Sequence, residues 1–456
     1  MRPTRRQFMH AIANSSVVSG LAVGGTLPAA ADLPEKSPAK LSGAGKAPDD
    51  EGYWRWIASQ FLTYPQYAYM NCGMRGPSPR SVVQAQFEAI RAYDTDRLSY
   101  ATYVDTTASR GELRARLAAF VGCDADEIAL TNNTTEGMAF GTLGLNFKPG
   151  DEIIYTNHDH ASGGQPVNLA CARFGAKPVV VDLSAPEFHP PESDDQIVEA
   201  FARAITPRTR LISFCHINYT DGCCLPVKKI CELAREKGIL TLVDGAHPPG
   251  MMDLNIHELG CDMYAGAGHK WLLAGMLTGF LYVRREVLDQ VWPLVYSGPV
   301  EGLNMYHAEP DDTPFNRQAQ TAARYEMRGS KNFAGAASLK AALEFQEAIT
   351  PAAIEQRVRY MAGEVREGLR KIRGVDVLVS DQHNLSVGLV SFVVRNVEPK
   401  KLNDELWERH GIYIRDVTHP EINWAVNRAS LHIMNDIAQV HSLVEAVDEI
   451  AREARA

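Results

Sequence analysis

What this chain of 456 residues lacks narrows it first. No apolar run in its body reaches the ~20 residues that a bilayer-spanning helix needs. There is no internal repeat, which sets aside repeat architectures. There is no long basic run, and the net charge is -9, so a nucleic-acid partner is not expected. No CxxC pair occurs, so a structural zinc site is not expected either. The body also lacks the G-x-G-x-x-G turn that a nucleotide-dependent oxidoreductase on an α/β sheet would need. Eight cysteines are present, but they are scattered. Two are adjacent (Cys223, Cys224), and others lie in apolar segments such as LISFCHIN. They read as buried small hydrophobes rather than a disulfide framework. With 45% hydrophobic and 22% charged residues, the composition is that of a soluble globular chain, long enough for two or three domains.

The first residues stand apart. Arg5-Arg6 and Phe8 precede a weakly apolar, Gly/Ala/Ser-rich run from Ala11 to Leu27, and Ala29-x-Ala31 offers a small-residue cleavage site. This is the layout of a secretory signal over residues 1–31, not of a membrane span. The paired arginines resemble a twin-arginine (Tat) signal, which the Tat export machinery reads on already folded proteins. The expectation is a periplasmic protein without a stable membrane anchor. Residues 32–51, rich in Pro, Lys, Ala, Gly and Asp, read as a linker.

From about Gly111 short apolar runs alternate with helical patterns: DEIALT, DEIIYT, KPVVVDL, LISFCHI, GILTLVDGAH and TGFLYVRRE, with helices such as IVEAFARAI and VKKICELAREKG between several of them. This predicts an α/β fold with a mostly parallel sheet covered by helices on both faces, over residues 52–325. The ligand is then expected at the carboxyl ends of the strands. Over residues 326–456 long helices and two strand-like runs predict a smaller α+β domain.

Three stretches carry chemistry. In LTNNTTEGMAFG, Thr134 and Thr135 open a helix after a strand; alone, this reads first as a plain helix cap and second as a phosphate site. In LVDGAH, Asp244 ends an apolar strand, as a ligand-facing carboxylate or as a cap. In GAGHKWLLAG, Lys270 sits in apolar surroundings, where a charged lysine is costly. Gly266 and Gly268 before it are expected to let the backbone approach a ligand. One chemistry needs all three: pyridoxal phosphate requires a Schiff-base lysine, a carboxylate for its pyridine nitrogen and a helix N-terminus for its phosphate.

TTEG, DGAH and GHKWL, in that order, resemble the class V aminotransferase family of the type I pyridoxal-phosphate fold. Within it, HKWLLAGMLTGFLYVRRE and YEMRGS are similar to the isopenicillin N epimerase-like branch. The resemblance implies that Lys270 binds the cofactor covalently and moves the α-proton. It implies that Asp244 pairs with the pyridine nitrogen and that His247 lies near the ring's phenolic oxygen. Thr134, Thr135 and His269 would hold the phosphate. His160 in TNHDHASG would stack on the ring face, with His158 as the neighbouring candidate; the HDH spacing shows no third metal ligand. Gly329-Ser330 would reach the phosphate of the neighbouring subunit, making a homodimer. Arg428 in NRASLHIMND would grip the substrate α-carboxylate, and Arg415 in IYIRDVTH is a second candidate. The chain departs from the family's cysteine desulfurases in having Ala267 where they have a serine, and Pro420 about where their nucleophilic cysteine sits.

The expected function is that of an exported enzyme acting on an amino acid, or on a small molecule or peptide with an amino-acid group. Aminotransferase-like chemistry comes first, with epimerisation or C–S lyase chemistry as alternatives. Pyoverdine-tailoring periplasmic enzymes share both the signal and the family, which suggests siderophore side-chain tailoring. A non-catalytic binding protein is a further alternative, against which stand both Lys270 and Asp244.

Overall fold

The computed structural model describes residues 41–63, 66–95, 107–297, 320–329 and 331–455. The signal expected over residues 1–31, residues 32–40 of the expected linker, and Ser330 lie outside the described residues.

Thirteen strands are described: β1 Ala68–Tyr69, β2 Ile128–Thr131, β3 Glu152–Thr156, β4 Lys177–Val181, β5 Thr209–Cys215, β6 Leu240–Gly245, β7 Met263–Ala267, β8 Gly279–Val283, β9 Val375–Val377, β10 Leu389–Val394, β11 Ile412–Tyr413, β12 Arg415–His419 and β13 Trp424–Ser430. Seven form the central sheet in the order β2-β8-β7-β6-β5-β3-β4. All its neighbouring pairs are parallel except the two that involve β8. The exception has a simple cause. Only the eleven residues Gly268–Thr278 separate β7 from β8, too few for the crossover that a parallel neighbour requires.

Both faces of this sheet are apolar, so its strands read as continuous hydrophobic runs. Ile212, Phe214, Val243, Tyr264 and Phe280 join one core, while Leu211, Leu242, Met263, Ala265 and Leu281 join the other. The period-2 alternation of a strand divides them. The covering helices show the matching period. In the helix Val227–Glu236, Val227, Ile230, Cys231 and Ala234 are buried, the i, i+3, i+4, i+7 stripe of an amphipathic helix.

The register sets where loops emerge. Cys215 pairs with Asp244, and Asp244 with Ala265, so β5, β6 and β7 end level. Thr131 and Ala267 both pair with Gly279, which brings the end of β2 to the same edge. A second, antiparallel sheet runs β12-β13-β10-β9, beside the helices Pro351–Arg370, Pro399–His410 and Ile437–Glu453. The N-terminal segment reaches it: β1 pairs with β11, and Asn71 bridges to Ser430.

All eight cysteines are free thiols and six are buried, as the scattered pattern implied. The glycines before Lys270 require a correction. A Cβ on Gly266 would stand 2.1 Å from the Phe280 ring, and one on Gly268 2.4 Å from Thr278 Oγ1. Their clearance serves the packing of β8 and its approach, not a ligand.

The helix Thr134–Leu143 lies close on the sheet through Gly137 and Gly141. A Cβ at Gly137 would be 2.7 Å from Ala265 Cβ, and one at Gly141 2.7 Å from the end of Leu242. Gly164, in the helix Ala161–Phe174, has its nearest neighbour at 3.8 Å. Gly137→Ala is therefore expected to lose on the order of 1–3 kcal/mol by overpacking. Gly164→Ala is expected to gain up to about 1 kcal/mol from helix propensity. Thermal melts check the order: Gly164→Ala above wild type, wild type above Gly137→Ala.

Candidate active site

The level strand ends open into a cavity of about 400 Å³. The loop after β2 supplies Asn132 to Thr135, and the turn after β3 supplies His160 and Ser162. Tyr219 comes from the loop after β5, Asp244 and Ala246 from the end of β6, and His269 and Lys270 from the loop after β7. Arg415 of β12 and Arg428 of β13 close the other side, with Gly73 and Met74 between. The position, outside the carboxyl ends of a parallel sheet, is where such folds bind ligands.

Asp244 is 4% exposed, and its carboxylate accepts one hydrogen bond among the described residues, from the Ala246 N–H at 3.0 Å. Burial raises its pKa, and the Lys270 charge works against that shift. Burial lowers Lys270 to about 8, with Asp244 opposing. The two charges act on each other, yet no ion pair within 4 Å joins them among the described residues. A buried carboxylate and a buried amine held apart in one cavity leave room for a group that satisfies both.

The helix Thr134–Leu143 begins at this cavity. Its cap is Asn133, whose side chain accepts from the Glu136 N–H at 2.9 Å. The threonines are therefore not the cap that the sequence pattern suggested; they are the first two helical residues. Thr134 Oγ1 is buried and has no hydrogen-bond partner, and Thr135 is exposed. An orphaned hydroxyl at a helix N-terminus fits the phosphate of a pyridoxal phosphate. With Lys270 and Asp244, the residues present fit the whole group. His269 lies beside them, its Nδ1 3.4 Å from the Thr278 carbonyl.

The histidines differ in station. His160 caps the helix Ala161–Phe174, accepting at Nδ1 from the Ser162 N–H at 3.1 Å. That role turns its ring to the cavity mouth. Burial, with Lys270 and both arginines adding, lowers it to about 4, so the ring is neutral. His158 does not reach the cavity. It is fully buried against His189 and Trp424, with Nδ1 2.6 Å from Thr220 Oγ1. His247 is buried and does not line the cavity. Its Nδ1 accepts from Trp271 Nε1 at 3.0 Å. Burial first, then Lys270 and Arg428, hold its pKa well below the usual range. A neutral ring accepting at Nδ1 carries its proton on Nε2.

Arg428 is 2% exposed. One guanidinium nitrogen donates to the Tyr219 carbonyl, and its Nε has no partner. Burial lowers it to about 9, Arg415 adding to the fall. Gly73 is the residue that makes room: a Cβ there would be 2.9 Å from Arg428 Nη2. Gly329 is exposed and does not line this cavity.

Three features escape the motif reading. Tyr219 lines the cavity, packs edge-on against His160 with centroids 4.8 Å apart, and hydrogen-bonds through its hydroxyl to His419 Nε2. His419 Nδ1 lies 2.7 Å from Glu421 Oε1. Tyr219 was findable, since it follows the end of an apolar strand. Trp271 anchors the lysine loop. Its carbonyl accepts from Gln346 Nε2 at 2.7 Å and lies 2.8 Å from His432 Nε2. Gly76 N–H donates to the His269 carbonyl at 3.0 Å, and a Cβ on Gly76 would meet the Lys270 carbonyl at 2.0 Å. These partners lie far away in sequence, so no local signal announces them.

The comparisons agree with this architecture. The chain is 29% identical over 406 residues to isopenicillin N epimerase of Streptomyces clavuligerus, covering 88% of this chain and 99% of that protein. It is 28% identical to a probable cysteine desulfurase of Methanothermobacter thermautotrophicus, covering 84% and 95%. A cystine C–S lyase structure in complex with cysteine persulfide shares the fold, with a TM-score of 0.74 at 24% identity, covering 86% and 99%. The apo cysteine desulfurase of Thermococcus onnurineus does too, with a TM-score of 0.74 at 24% identity, covering 87% and 98%. The sequence model of the class-V aminotransferases matches residues 77–443. The chain belongs to the class-V aminotransferase family and is a pyridoxal-phosphate-dependent enzyme.

Proposed function

We propose that this chain is an exported pyridoxal-phosphate enzyme that acts, by aminotransferase-like chemistry, on the amino-acid group of a secreted metabolite, with siderophore side-chain tailoring as its setting. The observation that carries the reading is the shared cavity of Lys270, Asp244 and Arg428. It places an amine able to hold or release a proton near neutral pH beside a fork for a carboxylate.

When bound, pyridoxal phosphate supplies an electron sink that acidifies the α-hydrogen of an amino acid. Asp244 would hold the pyridine nitrogen. The helix N-terminus, Thr134, Thr135 and His269 would hold the phosphate. His160 would cover one ring face, and His247, its Nε2 carrying the proton, would stand behind the ring oxygen. Arg428 orients the substrate carboxylate, and Lys270 takes and returns the proton. Gly329, with nothing among the described residues within 4 Å of where a Cβ would lie, would serve with Ser330 the phosphate of a neighbouring subunit in a homodimer with shared sites. Export rests on Arg5-Arg6, the apolar run and Ala29-x-Ala31. Sulfur transfer is disfavoured because no cysteine lines the cavity among the described residues.

Epimerisation is the second reading, favoured by the row Tyr219–His419–Glu421. In the sheet β6 lies between β5 and β7. Tyr219 after β5 and Lys270 after β7 therefore flank Asp244 on opposite sides. Tyr219 could pass its hydroxyl proton to His419 Nε2 and take an α-hydrogen on the side away from Lys270. The isopenicillin N epimerase relative points the same way.

Cofactor-free protein mixed with pyridoxal phosphate should develop long-wavelength absorbance at a rate that rises with pH and is half-maximal near 8. The neutral amine is the reactive form, and burial favours it. Asp244→Asn should move the midpoint lower, because the Asp244 charge raises Lys270, and Lys270→Ala should abolish the signal. Candidate L-amino acids and peptides separate the reactions: accumulation of a keto acid supports transamination, and α-deuteration in D2O without one supports epimerisation. Glycine in D2O tests the second base. An epimerase should exchange both α-hydrogens, and Tyr219→Phe should slow one of them on the order of 10²–10⁴-fold. Equal effects on both hydrogens would set the second reading aside.

A further inference from the structure

We propose that the cavity is built for a substrate with two carboxylates a few carbons apart, as in an acidic amino acid, Arg428 taking one and Arg415 the other; this rests on the amino-acid reading above.

Arg415 and Arg428 face each other in the β12–β13 ladder. Directly opposed residues project on the same face of a sheet, and like charges so placed repel. Both line the cavity. Among the described residues neither has a carboxylate within 4 Å. Arg415 Nη1 lies 3.5 Å from the neutral thioether of Met74.

Several other sheltered arginines are paired. Arg110 and Arg114 share the buried Glu326, Arg284 holds Asp262, and Arg357 meets Glu51. The opposed couple Arg415 and Arg428 has no such partner among the described residues. A buried charge without a partner is destabilising, so the retention of buried Arg428 opposite the partly buried Arg415 points to a ligand that supplies counter-charge.

The number of counter-charges follows from what each cavity group already serves. Among the described residues that line the cavity, Lys270, Arg415 and Arg428 face one carboxylate, Asp244. Asp244 and the Thr134 helix end serve the cofactor. Arg428 has one nitrogen on the Tyr219 carbonyl and its Nε open, enough for one carboxylate. One carboxylate shared between Arg415 and Arg428 would leave a net positive charge in a sheltered cavity, and a second removes it. Neighbouring strands lie ~5 Å apart, so the two acidic groups belong to one small moiety.

Calorimetric titration of the holoenzyme with glutarate and with butyrate tests this, because neither carries an amino group to react. Glutarate should bind about 10–100-fold more tightly, the range of a charge-assisted hydrogen bond. Arg415→Gln should erase that preference while butyrate binding persists, and Arg428→Gln should weaken both. Equal affinities in wild type, no measurable glutarate binding, or a preference surviving Arg415→Gln would overturn the proposal. Cofactor absorbance is recorded on each sample. Its absence from wild type would count against the enzyme reading itself, whereas equal affinities with the absorbance present would count against the second carboxylate alone.

Discussion

Asp244 and Lys270 are two buried opposite charges that do not touch, and the rest of the site is arranged around that separation. A carboxylate 4% exposed would normally be protonated or closely paired. Here burial pushes Asp244 up and Lys270 down, while each charge partly restores the other. When pyridoxal phosphate is bound, Asp244 and Lys270 would be the two residues that hold it from opposite ends of this gap. Because β6 and β7 are parallel neighbours with Asp244 opposite Ala265, the sheet register fixes this spacing.

The lysine loop is where the main parts of the molecule meet. It leaves the central sheet at Ala267 and returns at Gly279. The N-terminal segment holds it through Gly76, the helix Phe333–Ile349 through Gln346, and the segment after β13 through His432. Trp271 ties the same loop to His247. Lys270 is therefore positioned by contacts from distant parts of the chain, which is the rigidity that proton transfer at a defined atom requires. The same convergence brings Arg415 and Arg428 of the antiparallel sheet to the cavity that the parallel sheet opens.

Much of this was legible in the sequence, for reasons that particular residues make clear. Asp244 sits at the end of an apolar strand and Thr134 opens a helix after one, so local pattern and the rule for ligand position coincide there; the strand Met263–Ala267 that precedes Lys270 was not among the expected runs, its small residues giving no apolar signal. The helices and strands of the α/β part follow from runs whose two faces are both apolar. What escaped was non-local. Gly266 and Gly268 read as ligand clearance because local sequence does not reveal that Phe280 and Thr278 fill the space beside them. Asn133, one position before the threonines, proved to be the cap. The proximity of Gly73 to Arg428 needs the N-terminal segment laid against β13. The partnership of Tyr219 with His419 spans two hundred residues, and the opposition of Arg415 and Arg428 depends on a register that their spacing of thirteen does not dictate.

Borohydride reduction of the cofactor-loaded protein, followed by peptide mass spectrometry, tests the central claim most directly. Reduction fixes the bound pyridoxal group wherever it is attached. The account predicts one modified peptide, the one containing Lys270, with Asp244→Asn protein giving the same site at lower occupancy. Modification at another lysine, or none in protein that has taken up the cofactor, would contradict it.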